Sequence, residues 1–194
     1  MKYTYTFISI IALLVLSQSL FAQGGTDQTI TQNPLNTQPR GNNVLTKAQY
    51  QQITYNGYTI EQLNSIAGDE ELLYDIFGSP TSKKVSSFGN ISYSFYGFSL
   101  GYFTETPQDY ISGFTSSTTS ALTVKVLGKT IQVGDSFEEL THKFGENLKI
   151  VFMPELSDNI IVIFTYMDNE YDGLQLYLDK STYNIQEIVY FVNP

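Results

Sequence analysis

The stretch GDSFEELTHKFG, residues 134–145, is the most informative part of the chain because a related stretch occurs earlier. GDEELLYDIFG, residues 68–78, has the same opening Gly-Asp, a similar pair of acids and the same closing Phe-Gly. A capping residue, acids in the first turn, an apolar face and a final glycine are typical of a short capped helix. The sequence therefore predicts two similar helices, each ending at Phe-Gly.

The residues around each helix also repeat in the same order. Three pairs of stretches match: NISYSFY (90–96) with NIIVIFTY (159–166), LGYFTETPQDYISGF (100–114) with LQLYLDKSTYNIQEI (174–188), and YNGYTI (55–60) with VLGKTI (126–131). Their alternation of apolar and other residues indicates strands. We therefore predict an α+β fold of two tandem repeats, 44–117 and 118–194. Each is a short helical segment followed by a three- to four-stranded antiparallel sheet.

The first 22 residues are predicted to be a secretory signal peptide. Lys2 precedes the apolar run FISIIALLVL (7–16), which is short for a membrane anchor, and Ala22 suits the residue before cleavage. Residues 23–43 are rich in Gln, Asn, Thr and Gly, so we expect a flexible linker. The mature protein is then expected in the periplasm or outside the cell.

Composition excludes several classes of protein. Cysteine is absent, which excludes disulfides, cysteine-based metal sites and a lipid anchor on cysteine. The formal net charge is −9, and it becomes more negative once Lys2 leaves with the signal. Such a charge disfavours nucleic acid and anionic lipid surfaces. We expect no nucleic-acid partner and no stable membrane insertion, whereas a basic protein or a neutral glycan is compatible.

The acidic stretch MDNEYDG (167–173) resembles a calcium-binding loop. Counted from Asp168, the twelfth position of that loop is Asp179. A helix–loop–helix calcium site ends in a bidentate glutamate, whereas here a leucine-rich strand follows. The equivalent strands of the first repeat are joined by the tight turn FYGF (95–98). We therefore interpret the acids at 168–172 as a hairpin turn, with weak calcium binding left open.

No catalytic or metal site is predicted. His142 is the only histidine, so a histidine-based metal site cannot form. A Ser-His-Asp triad would have to use His142, and no G-x-S-x-G nucleophile elbow is present. The acid pairs at 70–71 and 138–139 lie near predicted helix starts, where the helix dipole favours carboxylates. No glycine-rich phosphate loop is present. We expect a protein that is not an enzyme and uses no cofactor.

Aromatic residues are the remaining functional signal, with 15 Tyr and 13 Phe. Leucines alternate along 174–178 and should face the helix, which leaves the opposite sheet face open. Phe103, Ile161, Ile163 and Tyr177 fall on that face and are the predicted binding residues. Tyrosine is favoured at recognition surfaces, although aromatic residues also simply fill strands and small cores.

The helix ending in Phe-Gly, followed by antiparallel strands and present twice, resembles the β-lactamase-inhibitor-protein-like fold. The resemblance extends to small lipoproteins of the outer-membrane assembly machinery. It rests on VGDSFEELTHKFG (133–145) and on the Tyr- and Phe-rich strands at 159–166 and 174–192. It implies a module that grips a protein with an aromatic-rich sheet face. The lipid-anchor cysteine, the paired cysteines and the tryptophans of those proteins are absent, so β-lactamase inhibition is not implied.

The sequence thus predicts an exported, soluble, non-enzymatic protein that binds a protein partner of unknown identity through a sheet face. The alternative is a small-ligand or glycan-binding module of the cell envelope, using aromatic side chains. A protein partner requires a broad apolar face, whereas a small ligand requires a pocket with converging polar groups.

Overall fold

The computed structural model describes residues 41–87, 89–104, 110–118, 122–152, 159–166 and 173–191. The predicted signal peptide with its cleavage site, residues 23–40 of the predicted linker, and the acids at 168–172 lie outside these ranges. No helix within them is long and apolar enough to cross a membrane.

Strands dominate the described part of the chain. They are β1 Thr54–Tyr55, β2 Tyr58–Thr59, β3 Ser82–Val85, β4 Ile91–Phe95, β5 Phe98–Phe103, β6 Tyr110–Ser116, β7 Val124–Val126, β8 Lys129–Ile131, β9 Ile150–Phe152, β10 Ile160–Phe164, β11 Gly173–Leu178 and β12 Ile185–Phe191. Eight form a large sheet in the order β3-β4-β5-β6-β12-β11-β10-β9, and four form a small sheet in the order β2-β1-β7-β8. All these pairings are antiparallel.

Four short helices accompany the strands in the described ranges: α1 Lys47–Gln51, α2 Ile60–Ser65, α3 Glu70–Phe77 and α4 Phe137–Phe144. With two antiparallel sheets and few helices, the protein has an α+β fold. The strands of both predicted repeats join in one continuous large sheet instead of forming a separate sheet in each repeat.

The two helices predicted from the Phe-Gly stretches are present. At the start of α4, the Ser136 hydroxyl accepts from the Glu139 amide at 3.1 Å. The Glu139 carboxylate in turn accepts from the Ser136 amide at 2.7 Å, which completes a capping box. Helix α4 stops at Gly145, whose φ of 91° suits glycine best. Helix α3 starts at an Asp69 cap and stops in the same way at Gly78.

The hydrophobic core lies on one face of the large sheet, between it, the helices and the small sheet. Tyr55 of the small sheet packs edge-on against two rings of the large sheet, Phe114 at 4.7 Å and Tyr190 at 5.8 Å between ring centroids. Phe114 and Tyr190 lie opposite each other on β6 and β12 and stack at 5.2 Å. The fully buried leucines 174, 176 and 178 belong to this core, as their alternation predicted.

Asn43, the last residue of the predicted linker 23–43, is held by side-chain hydrogen bonds. Asn43 is completely buried. Its side-chain amide donates to the carbonyl oxygens of Ile163 at 2.7 Å and Lys149 at 2.9 Å, and its oxygen accepts from the Lys149 amide at 2.7 Å. Lys149 directly precedes β9, and Ile163 lies in the neighbouring strand β10. Asn43 thus continues the hydrogen bonding between these strands. The polar composition of the neighbouring residues does not indicate this role.

Candidate functional site

The large sheet has an inner face against the core and an outer face turned away from it. Because side chains alternate along strands, the outer face is defined by every second residue. On β12 the inner residues Ile188 and Tyr190 are buried, whereas the outer residues Glu187, Val189 and Phe191 are half-buried. We call the half-buried outer positions of β5, β6, β11 and β12 the seam surface. They are Ser99, Gly101, Phe103, Tyr110, Gly113, Thr115, Tyr177, Glu187, Val189 and Phe191.

Two of the predicted binding residues are not accessible. Ile161 and Ile163 lie on the outer face of β10, yet they are only 3% and 5% exposed. Neither belongs to the core cluster. Ile161 lies in register between Val151 of β9 and Tyr177 of β11, so large side chains flank it on both sides. At β10 the outer face is therefore buried where the prediction expects it open, and these isoleucines have little area exposed.

Tyr177 lies on the seam surface as predicted and is half-buried. Its hydroxyl donates to the Gln175 side-chain oxygen, two residues earlier on the same face of β11, at 2.8 Å. Burial, together with the nearby Glu187 carboxylate, raises the pKa of Tyr177. The phenol is therefore held neutral and oriented, which suits a contact residue that uses both its ring and its hydroxyl.

Phe103 also lies on the seam surface, but far from Tyr177. Its ring contacts Tyr110 of the neighbouring strand, with centroids 5.2 Å apart. Strands β6 and β12 separate β5 from β11, so the two strands lie about 14 Å apart. Phe103 ends β5 at the side where β11 begins, whereas Tyr177 lies near the other end of β11. The four predicted residues therefore do not form one cluster.

A pair of glycines separates the two ends of the seam surface. Gly101 of β5 lies opposite Gly113 of β6, and Phe191 of β12 lies on the other side of Gly113. A Cβ on Gly113 would lie 2.7 Å from the Tyr190 carbonyl oxygen, so the close strand approach requires glycine there. Gly101 and Gly113 therefore add no side chain to this row of the sheet, where Phe191 supplies a ring.

Glu187 is the seam residue that sequence reasoning missed. It lies opposite Tyr177 and next to Val189 on the same face of β12. Burial alone raises the pKa of its carboxyl group. None of the described residues forms an ion pair with it. The alternation of Glu187, Val189 and Phe191 was the available signal, because it places an acid among apolar residues on one sheet face.

A second cluster of ionisable groups ties α3 to the edge of the large sheet. The Glu70 carboxylate accepts from the hydroxyls of Tyr74 at 2.8 Å and Tyr93 at 3.0 Å and from the Lys83 ammonium group. These bonds, with that from Lys83 the largest, lower the pKa of Glu70 to about 2. A carboxylate held ionised so strongly is a poor proton acceptor at neutral pH, so this cluster stabilises structure.

The described part of the candidate calcium loop does not favour a metal. Both carboxylate oxygens of Asp179 are used within the turn from β11 to β12. One accepts from the amides of Ser181 and Thr182 at 2.9 and 2.7 Å, and the other from the Gln186 side chain at 3.0 Å. No group of three or more metal-ligating side chains occurs among the residues that the structure describes. His142 is exposed, 3.7 Å from the Glu138 carboxylate.

Comparison with known proteins gives little further. No protein-family model matches the chain, and no curated protein matches it. Among solved structures, the chain is similar to an extracellular protein containing an SCP domain from Bacillus anthracis str. Ames. The two are 17% identical with a TM-score of 0.39, and the match covers 68% of this chain and 45% of that one. The chain spans less than half of that protein, and a TM-score this low does not establish a shared fold or function.

Proposed function

We propose that this chain is an exported, non-enzymatic binding protein that holds a protein partner on the seam surface. The observation that carries the proposal is the half-exposed set of aromatic and aliphatic side chains on the outer face of β5, β6, β11 and β12. Phe103, Tyr110, Tyr177, Val189 and Phe191 make it up. Aromatic residues that keep part of their surface in water on a rigid sheet are typical of protein interfaces.

Export to the periplasm or beyond belongs to the same proposal. Its support is the short apolar run at 7–16 after Lys2, with Ala22 as the last residue before cleavage. An exported binding protein that lacks cysteine depends on its core for stability. The single hydrophobic core, which contains residues of both sheets, supplies that stability.

The chain is further proposed to be a tandem repeat with an approximate two-fold axis. In the repeats, Thr54 corresponds to Lys125 and Thr115 corresponds to Val189. Thr54 pairs with Lys125 where β1 meets β7, and Thr115 pairs with Val189 where β6 meets β12. A residue that pairs with its own counterpart at both junctions is expected when a two-fold axis passes through them.

The proposed resemblance to the β-lactamase-inhibitor-protein-like fold supports a protein partner on the sheet face. The resemblance implies a partner gripped by an aromatic-rich sheet face, and under this proposal the seam surface would take that role. Fold-level likeness is weak support for function, so the function is inferred from the residues of the seam surface.

A glycan is the second candidate, favoured by the adjacent rings of Phe103 and Tyr110. These two half-buried rings, whose centroids lie 5.2 Å apart on the outer face, could stack against a sugar ring. A glycan array probed with residues 23–194 tests this candidate. Binding lost in Phe103→Ala and kept in Tyr177→Ala would favour the glycan over the protein partner.

Affinity capture from a native envelope extract tests the protein partner. The baits are residues 23–194 with the native sequence, a Tyr177→Ala/Val189→Ser variant, and a Tyr96→Ala control. Tyr96 is 83% exposed at the tip of the β4–β5 hairpin, away from the seam surface. We expect a protein retained by the native and control baits and lost from the seam variant. Identical retention by all three baits would refute the seam surface as the binding site.

A further inference from the structure

We propose that the partner places a lysine or arginine side chain against Glu187, within an otherwise apolar contact on the seam surface. The inference rests on the proposed function and specifies the chemistry of the partner. It commits to a protein or peptide that carries one basic residue between apolar neighbours.

The position of Glu187 is the first support. Among the outer positions of β11 and β12 it lies opposite Tyr177 and beside Val189, with Thr115 of β6 opposite Val189. Its carboxylate is the one formal charge among the seam residues, and it lies among a phenol, an aliphatic side chain and a hydroxyl. A basic group that reached this position would meet one acid surrounded by mostly apolar area.

The missing counter-charge is the second support. Burial raises the pKa of Glu187, because its neighbours remove water, and no residue in the described ranges supplies it with a cation. The ion pairs of the described residues all involve other acids: Glu70 with Lys83, Glu138 with His142 and Asp135 with Lys143. A partly dehydrated carboxylate without a cation destabilises the fold by itself. A cation brought by a partner would offset that cost, so the pairing energy would appear as affinity.

The charge of the whole molecule favours the same kind of partner. The chain has 19 acidic against 10 basic residues, so a basic protein is attracted before it makes contact. Anionic lipid surfaces are repelled by the same charge. The flanking rings and aliphatic side chains supply area on a sheet rather than enclosure, which suits a protein surface better than a free small cation.

Selection from a displayed library of random peptides tests the inference. The target is residues 23–194, and each selected peptide is then measured against three variants. Tyr177→Ala reports whether the peptide uses the seam surface. Glu187→Gln removes the charge and keeps the shape, and Glu61→Gln removes a charge from an exposed position on α2. Circular dichroism verifies that every variant is folded.

The expected result is a set of peptides that require Tyr177 and are enriched in a lysine or arginine between apolar residues. Their affinity should fall by about ten-fold or more in Glu187→Gln and stay unchanged in Glu61→Gln. Tyr177-dependent peptides without basic enrichment, or bound equally well by Glu187→Gln, would overturn the inference and leave the binding function standing. If no selected peptide depends on Tyr177, the proposed function fails together with the inference.

Discussion

Asn43 shows how a single side chain can take the place of a strand. Its amide occupies the position at which Lys149 would pair with Ile163 if the ladder of β9 and β10 continued. A primary amide has one acceptor and two donor hydrogens, so it can satisfy two backbone groups of one strand and one of the next. The polar composition of residues 23–43 gave no sign of this, because the partners lie more than 100 residues away.

Replacing Asn43 by alanine should destabilise the fold strongly. The change removes one fully buried hydrogen bond, to the Ile163 carbonyl oxygen, and two partly buried ones, to the backbone of Lys149. Loss of the partner of a group that water cannot reach costs about 1–3 kcal/mol. Asn42→Ala is the matched control, since it removes one partly buried bond, from the Asn42 amide to the Phe144 carbonyl at 2.8 Å. Chemical denaturation should show a clearly larger loss for Asn43→Ala; equal losses would contradict the bridging role.

Glu187→Gln should make the protein more stable at neutral pH. Burial raises the folded-state pKa of Glu187 above its ordinary value of 4.5, so the folded protein binds more protons than the unfolded chain above that pH. The free energy of unfolding therefore falls as the pH rises from 4.5 through the folded-state pKa of Glu187. Above that pKa the loss of stability from burying the charged carboxylate is complete. Tyr177 is the titratable group that faces Glu187 from β11. On β6 the nearest paired outer residue is Thr115, which lies opposite Val189 and is uncharged.

The measurement is the difference in unfolding free energy between Glu187→Gln and the native protein across a pH series. The difference should shrink as the pH is lowered to 4.5 and then level off. Glu61→Gln, which removes a carboxylate from an exposed position on α2, serves as the control. A native protein that is as stable as Glu187→Gln at every pH would show that the carboxylate carries no burial cost.

Among the elements, locally encoded features were predictable and long-range ones were not. Helices α3 and α4 were predicted because the capping residues, the apolar face and the stopping glycine all lie within one short stretch. Helices α1 and α2 were missed because they are only five and six residues long. Their capping boxes pair a threonine with a glutamine, whereas the box of α4 pairs a serine with a glutamate. The side-chain alternation of β10 and β11 was predicted correctly, whereas the burial of Ile161 and Ile163 depends on neighbours that alternation does not reveal.

The hairpin of β7 and β8 contains a residue that its turn does not favour. Leu127 has a φ of 50°, a left-handed conformation that costs a leucine about 1 kcal/mol or more. The matching hairpin of β1 and β2 has Asn56 there, also with a φ of 50°, and its side chain accepts from the Thr123 amide at 2.8 Å. Leu127→Asn should therefore stabilise the protein by about 0.5–1 kcal/mol, because asparagine tolerates this conformation.

Thermal unfolding checks the hairpin prediction. Leu127→Ala is the control: it removes the exposed side chain but keeps the unfavourable conformation, so its melting temperature should change little. The reverse substitution, Asn56→Leu, should destabilise by more than Leu127→Asn stabilises, because it also loses the bond to Thr123. An unchanged melting temperature in Leu127→Asn would mean that the turn carries no strain.

The turn from β11 to β12 depends on the ionised state of Asp179. Hydrogen bonds, the largest from the Ser181 hydroxyl, lower its pKa from 3.8 to about 2. Its contribution to stability is therefore present above pH 3.8 and is lost as the pH falls to about 2. Asp179→Asn should be less stable than the native protein at neutral pH, and the difference should narrow over this acidic range. A difference independent of pH would contradict the role of the charge.

At the scale of the whole molecule, the two predicted repeats are held together at several places. Strands β6 and β12 join in the large sheet, and strands β1 and β7 join in the small one. Tyr55 is buried against a ring from each repeat, Phe114 from the first and Tyr190 from the second. A repeat on its own would expose a long central strand edge together with this aromatic cluster, which few small domains tolerate.

The fragments 41–117 and 118–194 should therefore be unfolded separately and fold when mixed. Circular dichroism and proton–nitrogen NMR spectra of each fragment and of the equimolar mixture measure this directly. A Tyr55→Ala version of 41–117 is the informative variant, because loss of a buried aromatic side chain costs about 3–5 kcal/mol. Its mixture with 118–194 should reassemble far more weakly, since Tyr55 contacts Tyr190 across the junction. A dispersed NMR spectrum from either fragment alone would show instead that the repeats are independent domains, and the seam surface would then be an interface between two bodies rather than one continuous face.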